Sequence, residues 1–416
     1  MKRLLAISWE MPPMYGPRAT QVARTLGALS PLGWQSTVVC LGPRRGGPHW
    51  RDGLDVVMPD GVDLVRVPSP EEWMIVRAAW RVMPPLRDRP DSKWVWIGRA
   101  ARAAQAAASR TKFDGLVTFA QPWSDHLVGL RMRRATRLPW VAHFSDPWVD
   151  SPYLTLSAAR REAAQHMEAE VIGEATAVVF VTQETADLVM RKYPGEWRRK
   201  VAVVPHGFVP RVAHGLAAVA PRTGPVRLVH AGRFYEGVRT PLPLLRALAL
   251  MNARQPLAGT LDVTFVGPHV TAFSRDASAL GLDAVAHFRD RVSNEEATAI
   301  AADADALLVI DAPTQGPSPF LPSKLVDYLA LRKPLLGLTP VEGASAALLT
   351  RLGCAIAPPD DVDAIASALS DLVQRSREGT LSVGPQFDRV AGEFDIRRTV
   401  TQLHAVLTRA FDHHPG

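Results

Sequence analysis

The chain has 416 residues, 47% hydrophobic and 21% charged, with a formal net charge of +7. That length suffices for two or three domains with buried cores, and no stretch reaches the roughly 18 apolar residues of a membrane span. The two cysteines, Cys40 and Cys354, lie in apolar strand-like settings, which argues against a disulfide framework or a thiolate metal cage and for buried thiols in a reducing compartment.

In chain order, "RLLAISW" (3–9) reads as a first core strand rather than a leader, because Trp9, Glu10 and a proline pair end the apolar run at once. In "PRATQVARTLGALSPLG", Val22, Leu26 and Leu29 share one helical face and Gly33 follows as a stop. Further strands are expected at 34–41, 115–120, 140–144, 177–182 and 201–205. Their continuous Val, Ile and Leu runs point to parallel strands covered on both faces. Between them, residues 71–110 set Trp73, Trp80, Trp94 and Trp96 among Arg77, Arg81, Arg87, Arg89, Lys93 and Arg99. Tryptophan with basic residues suits a membrane interface or a lipid-linked pyrophosphate, and equally a helical insertion packed on its own domain. Residues 1–210 hold 28 Lys and Arg against 20 Asp and Glu, whereas 211–416 hold 20 against 21. The basic excess of the first half fits an anionic surface or substrate, or a host rich in arginine.

Residues 209–225, rich in Pro, Ala and Gly, read as a linker. Strands then recur at 226–232, 261–267, 284–290, 306–312, 334–340 and 353–359, with helical patterns between them and an amphipathic helix at about 395–416. The expectation is an α/β protein of two doubly wound domains facing a cleft, 1–208 and 226–394, with the final helix packing back on the first. Ligands in such sheets sit beyond the carboxyl ends of the strands.

Signatures of phosphate-loop NTPases, dinucleotide enzymes, nucleophile-elbow hydrolases and zinc sites are missing. "DADA" (303–306) resembles an Asp-x-Asp metal pair but sits at a helix end, where Asp305 can cap or face solvent. Four loops remain as site elements. Gly16 lies in the first βα loop, where it permits close backbone approach at a helix mouth, and Arg18 suits an anion or acceptor. His143 and Asp146, after the fourth strand, could orient a hydroxyl or act as a base. Arg233 and Arg239 could clamp a pyrophosphate. In "PSPFLPSKLVDY", Ser323 reads as a helix N-cap with Lys324 as first helical residue. Asp327 then accepts from ribose hydroxyls or forms an i,i+3 ion pair with Lys324.

Together, "PPMYGPRATQVARTLGALSPLGWQSTVV", "VVFVTQETADLVMRKYP", "VAVVPHGF", "HAGRFYEGVR" and "PSKLVDYLALRKPLLGL" resemble the GT-B glycosyltransferases of the retaining family 4 type over nearly the whole chain. The resemblance implies two Rossmann-like domains, acceptor on the first and nucleotide-sugar donor on the second. By it, Arg233 and Arg239 would hold the donor diphosphate, Asp327 the ribose, and His143 would be the active-site histidine. The family's sugar-contacting glutamate would fall at Pro319, as in a polysaccharide-building subgroup with "PSKLxEY". The implied activity is a hexosyltransferase-like transfer to a glycan, lipid-linked or other glycoconjugate acceptor, with retention and without metal or other cofactor. In an inverting variant Asp146 would be the base. A UDP-sugar is expected ahead of a GDP-sugar. The implied location is cytoplasmic, with peripheral contact at the inner membrane surface, and no nucleic-acid partner is expected. The rival expectations are a sugar-nucleotide epimerase or disaccharide synthase, and a non-catalytic nucleotide-sugar-binding protein.

Overall fold

The computed structural model describes residues 1–14, 16–43, 58–83, 89–210, 224–235, 237–290, 292–412. The chain divides into two compact units, Met1–Gly207 with the chain from Ile396 onward, and Phe208–Asp395. Of the expected linker, residues 211–223 lie outside the described residues.

The first unit is built on seven strands: β1 (Lys2–Ile7), β2 (Trp34–Leu41), β3 (Val62–Val67), β4 (Gly115–Ala120), β5 (Trp140–Phe144), β6 (Ala177–Phe180) and β7 (Val201–Val203). They run in the order β3-β2-β1-β4-β5-β6-β7, each pair parallel. Period-two alternation divides each strand between two cores, as parallel sheets covered on both faces require. Leu5 and Ile7 of β1 join Trp96, Trp140 and Phe144, while Leu4 and Ala6 join Val22, Leu26 and Leu29. Those last three lie on the helix Pro17–Leu29. Gly33, in the left-handed region at φ 87°, ends the following turn and admits β2.

Strand β3 was not anticipated. It is the sheet edge, and it packs on both faces, Val67 in one core and Val62 in the other, with Asp63 exposed. The final helix, Ile396–Asp412, belongs to the first unit. Trp34 Nε1 donates to His404 Nδ1 at 2.9 Å, Phe411 meets the Trp34 ring edge-on at 5.8 Å, and Lys2 pairs with Asp412 at 2.7 Å. Gly115 leaves the room that the Phe411 ring fills.

The second unit has six parallel strands, β8 (Val226–Ala231), β9 (Leu261–Val266), β10 (Ala286–Arg289), β11 (Ala306–Ile310), β12 (Leu335–Leu338) and β13 (Ala355–Ala357), in the order β10-β9-β8-β11-β12-β13. It too has a core on each face, Leu228 and Phe265 on one and Val229, Leu325 and Leu329 on the other. The Asp-x-Asp stretch is structural. Asp303 pairs with the Arg227 guanidinium, and Asp305 Oδ2 accepts from the Arg227 backbone N–H at 2.9 Å. In each sheet the strand order reverses once, between β1 and β4 and between β8 and β11. A ligand seat is expected beyond the carboxyl ends of those strands.

Candidate active site

In the second unit the seat forms where β8 ends. The helix Ser323–Leu329 is placed by Tyr328, whose oxygen accepts from the Ala231 N–H at 2.8 Å. Lys324 lies one turn before Tyr328 and so shares its face. Its Nζ is buried against Gly232, where any Cβ would overlap it. Gly267, at φ 152°, packs on the Gly232 backbone, so glycine is required at both positions for this approach. Lys324 Nζ has no hydrogen-bond partner among the described residues. Burial and then the Arg239 charge pull its pKa down to about 7, opposed by Asp311. The charges that Lys324 feels are Arg239 and Asp311, and Asp327 is exposed.

Ser323 is not the cap. Pro322 occupies the N-cap, Ser323 is the first helical residue, and no side chain caps this end. The extended backbone that Pro322 fixes enters the helix one residue earlier than expected.

Arg239 Nη2 donates to the Arg233 carbonyl at 2.6 Å and its guanidinium covers the Tyr235 ring at 4.9 Å, while its Nε has no partner among the described residues. The two arginines are therefore joined through the backbone rather than as a fork of two guanidiniums, and Arg233 itself is exposed. His230, not singled out from the sequence, is fully buried. Its Nδ1 meets the Leu308 carbonyl at 3.0 Å, its ring stacks on Phe234 at 5.0 Å, and its unpartnered Nε2 flanks Gly232. Burial, then Lys324, holds the imidazole well below its usual pKa, so it is neutral. A polar residue within the apolar strand VRLVHA was the available signal. Asp311, just past β11, accepts from Thr339 Oγ1 at 3.1 Å, and burial pushes its carboxyl pKa up.

In the first unit the corresponding elements converge on Arg18, on the first turn of the helix Pro17–Leu29. Arg18 is 8% exposed, its guanidinium lies over Phe119 at 6.0 Å, and none of its three nitrogens has a hydrogen-bond partner among the described residues. Gly16 packs on Glu10, whose Oε2 would lie 2.8 Å from a Cβ there. His143 lies near the end of β5 with Nδ1 unpartnered, 5.2 Å from the Phe119 ring and 5.9 Å from His206. Burial, then Arg18, drives its pKa down to about 3. His143 is thus a neutral hydrogen-bonding group in the free protein, too weak a base to collect a proton near pH 7. Asp146 accepts from Ser145 Oγ at 3.0 Å, with Gln121 Nε2 at the outer limit of 3.5 Å, and burial raises its pKa. Behind them His126 meets Thr118 Oγ1 at 2.7 Å, and Trp140 Nε1 donates to that oxygen at 3.0 Å.

Of the tryptophans read as acceptor or membrane contacts, Trp96 is a correction. It is fully buried, donates to the Val67 carbonyl at 3.1 Å and meets Trp9 edge-on at 5.1 Å. Its apolar bulk completes the core beside β3, the strand that the sequence did not reveal. Trp73 and Trp94 are exposed and Trp80 is half-buried. Trp73 is covered on one face by the Arg99 guanidinium at 4.8 Å. No helix among the described residues is long and apolar enough to cross a membrane, and none of their His, Cys, Asp and Glu side chains form a metal-binding group of three.

Residues 18–207 match the family model described as a glycosyl transferase 4-like domain. No curated protein matches the chain by sequence. Sucrose-phosphate synthase from Thermosynechococcus elongatus shares 14% identity with a TM-score of 0.72, over 100% of both chains. An E. coli structure, described as trehalose-6-phosphate bound with UDP-2-fluoro glucose, shares 13% at a TM-score of 0.63, over 98% of this chain and 99% of that one. WaaG, a glycosyltransferase involved in lipopolysaccharide biosynthesis, shares 16% at a TM-score of 0.58, over 98% of each. Within the first unit, residues 18–207 are thus similar to a glycosyl transferase 4-like domain, and the chain as a whole has the GT-B fold of these solved structures.

Proposed function

We propose that the protein transfers a sugar from a nucleoside-diphosphate donor held by the second unit to an acceptor held by the first. The observation that carries this is the buried, unpartnered Lys324 ammonium against Gly232, beside Arg239 and the Nε2 of His230. An unpartnered buried ammonium with a guanidinium charge near it, at the end of the first strand of a doubly wound unit, suits a diphosphate. As the sugar leaves, charge grows on that diphosphate, and groups already fixed there stabilise it without reorganising. This provides the stabilisation that a metal-independent transfer needs. Asp327, exposed on the adjoining helix, is the ribose acceptor in this reading. His143 orients the acceptor by hydrogen bonding. The acceptor oxygen bonds to the anomeric carbon on the face from which the phosphate departs, which retains the configuration, and the departing phosphate takes the acceptor proton. A UDP-sugar is the proposed donor, and the E. coli structural neighbour bound with UDP-2-fluoro glucose supports it.

The test is nucleotide binding by calorimetry, UDP against GDP, followed by release of nucleotide from a panel of NDP-sugars. UDP should bind and Lys324→Met should weaken it about tenfold or more, the worth of a charge-assisted contact. Gly232→Ala should do the same by displacing Nζ. Unaltered UDP affinity in both variants, or no nucleotide bound at all, sinks the assignment.

A location at an anionic membrane surface accompanies this reading. On the helix Met74–Val82, Met74 and Val82 are 86% and 80% exposed, next to Trp73, Met83, Arg77 and Arg81. An exposed apolar face flanked by arginines matches the boundary between headgroups and acyl chains.

A further inference from the structure

In the first unit, the Arg18 guanidinium is the group for which the free protein offers no structural reason. Burying an unpaired guanidinium is costly, because nothing replaces the water it gives up. The carboxylates whose charge it feels are Asp146, Asp125 and Glu10, and none of them hydrogen-bonds to it, although Asp125 Oδ1 is itself buried without a partner among the described residues. Asp125 Oδ2 accepts from the Trp9 N–H at 2.8 Å, Asp146 accepts from Ser145, and Glu10 abuts Gly16. The remaining groups that feel its charge are three imidazoles, His126, His143 and His206, all neutral through burial. Of these, His143 has its Nδ1 without a partner among the described residues. The pocket is therefore a planar, always-charged donor with five N–H groups, walled by the Phe119 ring and by neutral rings, at the point where this sheet's strand order reverses.

We infer that this pocket binds a phosphate group of the acceptor, gripped by the Arg18 guanidinium with His143 beside it, so that the acceptor is a phosphorylated molecule. The inference rests on the first unit being the acceptor side. A guanidinium fork matches two phosphate oxygens at once, which neither a neutral hydroxyl nor an ammonium would exploit. Burial pushes the Asp146 and Asp125 carboxyls up, Asp125 the further.

The test uses the full chain with inorganic phosphate and methyl phosphate as probes, read by calorimetry and thermal shift. Phosphate should bind the unaltered protein, Arg18→Gln should weaken it about tenfold or more, and Arg18→Lys should recover part of the loss. UDP should bind Arg18→Gln as it binds the unaltered protein. Phosphate binding that survives Arg18→Gln with the donor seat saturated by UDP overturns the inference, as does loss of UDP binding in that variant, which would give Arg18 to the donor. Absence of UDP binding in every form would instead overturn the donor assignment and leave the phosphate result to stand separately. Competition distinguishes the two sources. Displacement of methyl phosphate by a soluble hexose phosphate identifies a sugar phosphate, and displacement only by vesicles carrying a polyprenyl phosphate identifies a lipid-linked one. Displacement by neither refutes the inference. Should Arg18→Gln fail to fold, Arg18→Lys and competition on the unaltered protein decide the matter alone.

Discussion

A lysine ammonium beside Arg239 with no hydrogen-bond partner among the described residues destabilises the second unit whenever it is charged. Its pKa of about 7 in the folded chain lies below the ordinary 10.5. Between those values the unfolded chain holds a proton that the folded chain has released, so stability falls as pH drops through that window and rises as pH climbs through it. Below about pH 7 both states are charged and the full penalty applies. Lys324→Met should therefore raise the melting temperature most at pH 6 to 7, by an amount worth up to a few kcal/mol, and least near pH 10. Melting curves across that range check it, and equal gains at both ends would show that Lys324 is not strained. A variant more stable and less able to bind UDP is the expected signature of a binding group. The sequence left Lys324 open between ligand contact and a pair with Asp327. Its i,i+4 relation to Tyr328 was legible, but Tyr328's bond to Ala231 was not, because it joins residues 97 apart. That Arg18 lacks a partner was hidden for the same reason, since only folding shows which carboxylates are already engaged.

Among the elements, the central strands were the most legible. β4 and β5 are buried along their whole length, and their unbroken apolar runs say so. All six strands of the second unit were anticipated for this reason. The edge strand β3 was missed because Asp63 and Arg66 interrupt its apolar residues, so it carries no unbroken apolar run. Composition showed tryptophans and arginines in residues 71–110 but could not sort them. Depth does so, with Trp96 in the core and the Met74–Val82 helix outside it. If that helix docks on lipid, the protein should co-sediment with vesicles rich in anionic lipid and release as salt rises, since surface attraction falls within a Debye length. Replacing Met74 and Val82 together by glutamate should cut binding several-fold without changing UDP affinity. Equal binding to neutral and anionic vesicles, or no effect of the double substitution, would count against the membrane reading.

At the scale of the whole molecule, the repeated strand–helix alternation made the two-unit class readable, and the resemblance of the loop motifs made the GT-B fold readable. Which unit owns the last helix depends on particular contacts. His404 and Phe411 meet Trp34, and Gly115 leaves space for the Phe411 ring. Lys2 and Asp412, bonded at 2.7 Å, are separated by 410 positions. The second unit is thereby an insertion within the first. Residues 208–395 are contiguous, so the second unit can complete its fold without the final helix, whereas the first unit still exposes the Trp34 face until that helix docks. A purified chain truncated after residue 395 should yield a protease-resistant fragment from the second unit and none of full length from the first. Equal resistance of both would show that the final helix is not needed to close the first core. The earlier-made unit would then be the later to mature, leaving it the one more exposed to misassembly.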